Sequence, residues 1–167
     1  MHMKKYIITS LMLILAVSFW NCEKDDICAQ ETITTSRLVM EFYDANNPSE
    51  LKNVTNLGIA EPTFETGFAF NAVSKIVVPL RTNQDITTIN FVLNGSDEDT
   101  SNDISDVLTF NYNRFNSYIS RACGYKTIFT LNDSNGIELP TNNWIVNFEI
   151  IQPTITDENE THVKIYF

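Results

Sequence analysis

Leu108-Thr109-Phe110-Asn111-Tyr112 and Tyr125-Lys126-Thr127-Ile128-Phe129-Thr130-Leu131 decide the fold class of this chain. Residues two apart share a character in both: Leu108, Phe110 and Tyr112 in the first, and Tyr125, Thr127, Phe129 and Leu131 in the second. A period of two marks a strand, because successive side chains point to opposite faces. The β-branched and aromatic residues in these runs suit a pleated, half-buried surface.

The same period returns on both sides of them, in Leu38, Met40 and Phe42, in Ile89, Phe91 and Leu93, in Trp144, Val146, Phe148 and Ile150, and in Val163, Ile165 and Phe167. Shorter strand candidates lie at 54–59, 67–71 and 75–80. Turn-forming clusters separate them at 44–48, 94–96, 133–136 and 140–143. The charged stretch from Asp97 to Asp106 is expected to be a flexible loop, and single helical turns are considered at 49–53 and 115–120. Seven to nine strands within residues 32–167 predict an all-β chain with a single antiparallel β-sandwich, immunoglobulin-like in type, and a small barrel as the alternative. A membrane-spanning barrel needs an apolar face along every strand, whereas the second faces here carry Glu41, Asn90, Asn147, Glu149 and Lys164.

Residues 1–21 read as a signal peptide. Lys4 and Lys5 precede an apolar run from Tyr6 to Trp20, shorter than the roughly 18 or more residues a spanning helix needs. Cys22 follows directly, and its setting resembles the lipobox of bacterial lipoproteins, in which the cysteine is acylated and becomes the first residue. Asn21 stands where that pattern prefers a small residue. Ordinary secretion, with Cys22 as a plain thiol, is the alternative. Residues 22–31 then form an acidic tether, and 32–167 the sandwich domain. Lys24-Asp25-Asp26 resembles the export signal that sends Bacteroidota-type lipoproteins to the cell surface; as a bare tether it is simply charged and solvated.

The 167 residues hold 11 basic and 21 acidic side chains, and residues 22–167 hold nine basic and 21 acidic, a balance of −12. That charge repels phosphate backbones, so nucleic acid is not expected as a partner. With Cys22 acylated, Cys28 and Cys123 remain, and in an oxidising compartment an even pair is expected to bond. A bridge over that span stabilises by about 4–5 kcal/mol in the chain-entropy model. Two separate buried thiols are the alternative.

The stretches Cys28-Ala29, Glu41 to Pro48, Thr82 to Asp85, Ser120 to Phe129 and His162 to Phe167 resemble those of a small lipoprotein family of flavobacteria-like Bacteroidota, described only as a domain of unknown function. The resemblance extends over nearly all of residues 22–167 and is most specific around Cys123. It implies location and a single domain, and brings no activity, cofactor or catalytic residue with it.

Candidate chemistry is sparse. Beyond the leader, His162 is the sole histidine, and its place at the start of the last strand suits a strand-edge residue better than a general base. The acids between Asp97 and Asp106 are hard oxygen ligands, but Asn102 and Leu108 stand where a calcium loop needs glycine and glutamate. Trp144 is expected in the core, and Arg121 and Lys126, which flank Cys123, are expected to pair with nearby acids in so acidic a chain, a small basic spot being the alternative. The expected function is a non-enzymatic binding or structural module of the outer membrane. It is held to the membrane through the lipid on Cys22 and exposed at the cell surface, with an unidentified protein or glycan ligand, no cofactor and no metal. The alternative is a periplasm-facing accessory factor for the assembly or stability of outer-membrane proteins.

Overall fold

A computed structural model describes residues 27–64 and 66–167, together with the single positions Tyr6, Ser10 and Met12. The expectations placed on Cys22, Lys24, Asp25 and Asp26 lie outside the described residues. The chain divides into two compact units: residues up to Thr32 with Ile119–Gly124, and Ile33–Tyr118 with Tyr125–Phe167.

The larger unit is a two-sheet β-sandwich. Its first sheet is built around β1 (Leu38–Asp44), in which Leu38, Met40 and Phe42 are buried on the face the sequence predicts. One edge of β1 pairs in parallel with β12 (Val163–Tyr166), aligning Met40 with Val163 and Phe42 with Ile165. The other edge is shared antiparallel by β5 (Lys75–Val78) and β2 (Asn47–Leu51). The outer strand β10 (Asn147–Ile150) pairs with β12. The second sheet runs in the order β11 (Thr154–Ile155), β8 (Gly124–Leu131), β7 (Ile104–Ser120), β6 (Ile86–Leu93), β3 (Leu57–Ala60) and β4 (Phe68–Phe70), with β9 (Ile137–Glu138) also on β7. β6 and β7 share an eight-pair antiparallel ladder from Ile86↔Asn111 to Leu93↔Ile104.

Ile59, Ile89, Phe91, Leu108, Phe110 and Phe129 line the second sheet's inner face and meet Met40, Phe42, Val78 and Ile165 from the first in one continuous core. Each such side chain stabilises by about 1.5–3 kcal/mol when fully buried.

The twelve strands among the described residues exceed the seven to nine expected, because several are too short or too exposed to show a period. β2 (Asn-Pro-Ser-Glu-Leu) is exposed throughout and carries Pro48, which an edge strand tolerates because one side of its backbone faces solvent. Residues 49–53 and 115–120 form no helical turn; the first begin within β2 and the second complete β7.

The stretch from Asp97 to Asp106 is also not a loop throughout. A single 3-10 turn spans Thr100–Asn102, capped by Asp99, and β7 begins at Ile104. Asp106 is fully buried. Its Oδ1 accepts from the Asn143 N–H at 2.9 Å, and its Oδ2 accepts from the N–H groups of Trp144 and Ile145, both at 2.8 Å. This corrects the alternation expected from Trp144 onward. Trp144 and Ile145 are adjacent and both buried, while Val146 is 62 % exposed, because the carboxylate holds this stretch out of a regular strand. The Trp144 ring packs edge-on against Phe167 at 5.5 Å, and its Nε1–H donates to the Phe91 carbonyl at 3.1 Å.

Asp106→Ala is expected to lower the free energy of unfolding by about 3 kcal/mol or more. The buried N–H groups of Trp144 and Ile145 lose their acceptor, at about 1–3 kcal/mol each, and the part-buried N–H of Asn143 loses its own. Asp106→Asn keeps one acceptor oxygen and should lose less. Urea unfolding of the three proteins checks the order; a loss under about 1 kcal/mol for the alanine variant would show that the carboxylate is not the clasp.

Candidate functional site

The sandwich opens at one lateral edge, where β3 and β4 of the second sheet face the end of β5 from the first. The hairpin from β3 to β4 carries Phe64 and Phe68, 63 % and 60 % exposed. Opposite stand Val78, Pro79 and Leu80, and the floor is Ile59 and Ile89, enclosing about 220 Å³. Gly67 is required at this hairpin, because a side chain there would collide with the Ile59 carbonyl and the Ala60 methyl and pry β4 off β3.

The groove's polar rim is fixed from beneath. Arg81 is ion-paired with Glu61, and its Nη1 donates to Gln84 Oε1 at 3.0 Å. The Arg81 backbone N–H donates to Thr87 Oγ1 at 2.9 Å, and its carbonyl accepts from the Tyr112 hydroxyl, also at 2.9 Å. Tyr112 and Thr87 share a further hydrogen bond of 2.6 Å. Burial raises the Tyr112 phenol above its ordinary value, with Thr87 and the Arg81 carbonyl acting against that rise. The lining offers apolar surface and one ion pair, with no cysteine or histidine among it. Its chemistry is that of burying an apolar group about as large as a side chain, below the ~300–1,000 Å³ of drug-sized pockets.

His162 is placed as structure. It is 2 % exposed; its Nδ1 accepts from the Val39 N–H at 2.9 Å, and its own N–H donates to the Val39 carbonyl at 3.0 Å. Desolvation by burial lowers its pKa, against Asp157, Glu160 and Glu158, which favour the charged ring, and together with Lys75, which opposes it. Among the described residues no three or more of His, Cys, Asp and Glu are grouped to hold a metal. In the acidic stretch Asp97 accepts from Asn56 and Asp99 from Ser101.

Within the smaller unit, Cys28 and Cys123 form a disulfide, their Cα atoms 4.8 Å apart across a sequence separation of 95. The Cys123 N–H donates to Ser120 Oγ at 3.0 Å, and Gly124 takes φ +70°, a left-handed turn that glycine enters without cost. Periodicity missed the groove altogether, since Phe64 lies in a turn and β4 is three residues long; the nearest signal in the sequence was Gly67 between Phe64 and Phe68.

The model of the family described as "Family of unknown function (DUF6452)" matches residues 59–167, a span that includes the groove and Cys123. No curated protein and no solved structure matches the chain.

Two outcomes are expected here. Unfolded protein without reductant should show no free thiol at Cys28 or Cys123, and Cys28→Ser with Cys123→Ser should lower stability by about 2–5 kcal/mol. Because His162 titrates below its ordinary 6.5 when folded, the unfolded chain binds this proton first as pH falls. The neutral ring's contribution is therefore complete above pH 6.5 and declines as the pH drops below it. Urea midpoints at successive pH values should fall over this window in the wild type, and less in His162→Asn.

Proposed function

We propose that this chain, which belongs to the family of unknown function DUF6452, is an exported envelope lipoprotein of the flavobacteria-like Bacteroidota kind. The signal peptide is removed, acyl chains on Cys22 hold the protein in the outer membrane, and Lys24-Asp25-Asp26 directs it to the cell surface. There the sandwich acts as a non-enzymatic binding or structural module.

The observation that carries this reading is the Cys28–Cys123 bridge. Disulfides persist in oxidising compartments outside the cytoplasm. This one fixes the sequence six residues after Cys22 to the turn between β7 and β8, so an anchor at Cys22 would be tied to the folded chain. An apolar groove without a nucleophile–base pair, and a histidine used as a backbone acceptor, support the non-enzymatic part.

Cys22→Ala is expected to abolish labelling by radioactive palmitate and to leave uncleaved precursor; unchanged labelling would end the lipoprotein reading. Replacing Lys24, Asp25 and Asp26 with alanine should keep the lipid but protect the domain from protease added to intact cells. Equal protection of the wild type would favour a periplasm-facing accessory role instead.

A further inference from the structure

The hairpin of β7 and β8 continues past the core. Even-numbered residues of β7 are buried from Asp106 to Tyr112, and odd-numbered residues of β8 from Thr127 to Leu131. Carried on by the period of two, the same face presents Tyr118 and Tyr125. Yet these are 56 % and 68 % exposed, packed edge to face on each other with ring centroids 5.3 Å apart. Phe115, 67 % exposed, lies on the opposite face of the same strand. Among the described residues none of these three rings belongs to the core or packs against it.

Charge separates this segment from the rest. Between Asp106 and Asp133 there is no acidic residue, and Arg114, Arg121 and Lys126 give a balance of +3. The remainder of residues 22–167 holds six basic and 21 acidic side chains. Arg114 is engaged by Asp85 at 2.6 Å, which leaves Arg121 and Lys126 as the charges nearest the turn in sequence.

The number of residues between Cys22 and Cys28 limits how far this segment can lie from Cys22. Cys123, in the turn, is bonded to Cys28, and six residues span at most about 20 Å back to Cys22. Tyr125 is two residues from Cys123, at most about 7 Å further. We propose that the end of the β7–β8 hairpin lies against the phospholipid surface that holds the acyl chains of Cys22, with Tyr118 and Tyr125 at headgroup depth and Arg121 and Lys126 toward the phosphates. This rests on the reading of Cys22 as the anchor. Tyrosine, with an apolar ring and a polar tip, favours this interface. Basic side chains are drawn to anionic headgroups while an acidic body is repelled, so the contact also orients the domain.

The test uses the full lipidated protein in phosphatidylethanolamine–phosphatidylglycerol vesicles that carry a nitroxide on the headgroup. Once residues 1–21 are removed, Trp144 is the one tryptophan; it is 7 % exposed and serves as the internal blank. Tyr118→Trp adds a reporter at an exposed position. The added emission is expected to be quenched several-fold more than that of Trp144, and adding Arg121→Glu with Lys126→Glu should reduce the excess several-fold. Mass spectrometry of the same sample reports the acyl chains on Cys22. Equal quenching of both indoles with Cys22 acylated would overturn the membrane contact alone. An unacylated Cys22 would overturn the anchor and, with it, this inference.

Discussion

Three hydrogen bonds to one carboxylate hold the sandwich in the arrangement described. Asp106 stands on the inner face of β7, in the second sheet, and accepts from the consecutive N–H groups of Asn143, Trp144 and Ile145, which lead into β10 of the first. A charged side chain with no exposure is tolerated only when its oxygens are occupied. Here that requirement fixes the path of the other sheet's chain. The Trp144 ring is thereby set beside Phe42 and Phe167, and its indole N–H reaches the Phe91 carbonyl, so apolar packing and polar pairing join the two layers at one place. The adjacent stretch shows the consequence, since Val146 is turned outward where alternation from Trp144 would bury it.

The longer strands were legible because each has one face in the core and one in water. Leu38, Met40 and Phe42, or Leu108, Phe110 and Tyr112, announce themselves by polarity alone, and the structure buries all six. The sandwich followed from the number of such runs. What stayed hidden has a local cause in each case. Asp106 reads as part of an acidic loop because a sequence shows its charge and not the three donors that satisfy it. β9 and β11 have two residues each, too few for any period. The parallel pairing of β1 with β12 joins the two ends of the domain, and a contact of that sequence separation leaves no trace in the local pattern. The Cys28–Cys123 pair was legible from parity and the expected compartment, whereas the groove was not, since its aromatic wall comes from a turn and a three-residue strand.

His162 and the groove show how polar groups are used in this protein. The imidazole completes the backbone pairing of Val39 at the start of β12 and is desolvated in doing so. The hydroxyls of Tyr112 and Thr87 fasten the Arg81 backbone, so that the apolar recess keeps its width. Both sets spend their hydrogen bonds on shape. The polar side chains of these two clusters are hydrogen-bonded within the protein itself.

The same logic makes the β7–β8 hairpin the odd element of the fold. A strand of 17 residues is long for a domain whose other strands run from two to eight. Its outer half leaves aromatic rings where the protein's own core cannot cover them. Exposed apolar side chains scattered singly need no explanation, but a paired set on a segment free of acids, in a chain otherwise so acidic, does. The disulfide adds a constraint of its own. A bridge across a separation of 95 residues restricts the unfolded chain wherever it is placed, so stability alone would not require it at the tip of this hairpin. Its position is accounted for once the tip has to stay close to residues that precede the sandwich. Length, aromatic exposure, charge and the cross-link would share a single explanation under the membrane contact proposed for the end of the hairpin.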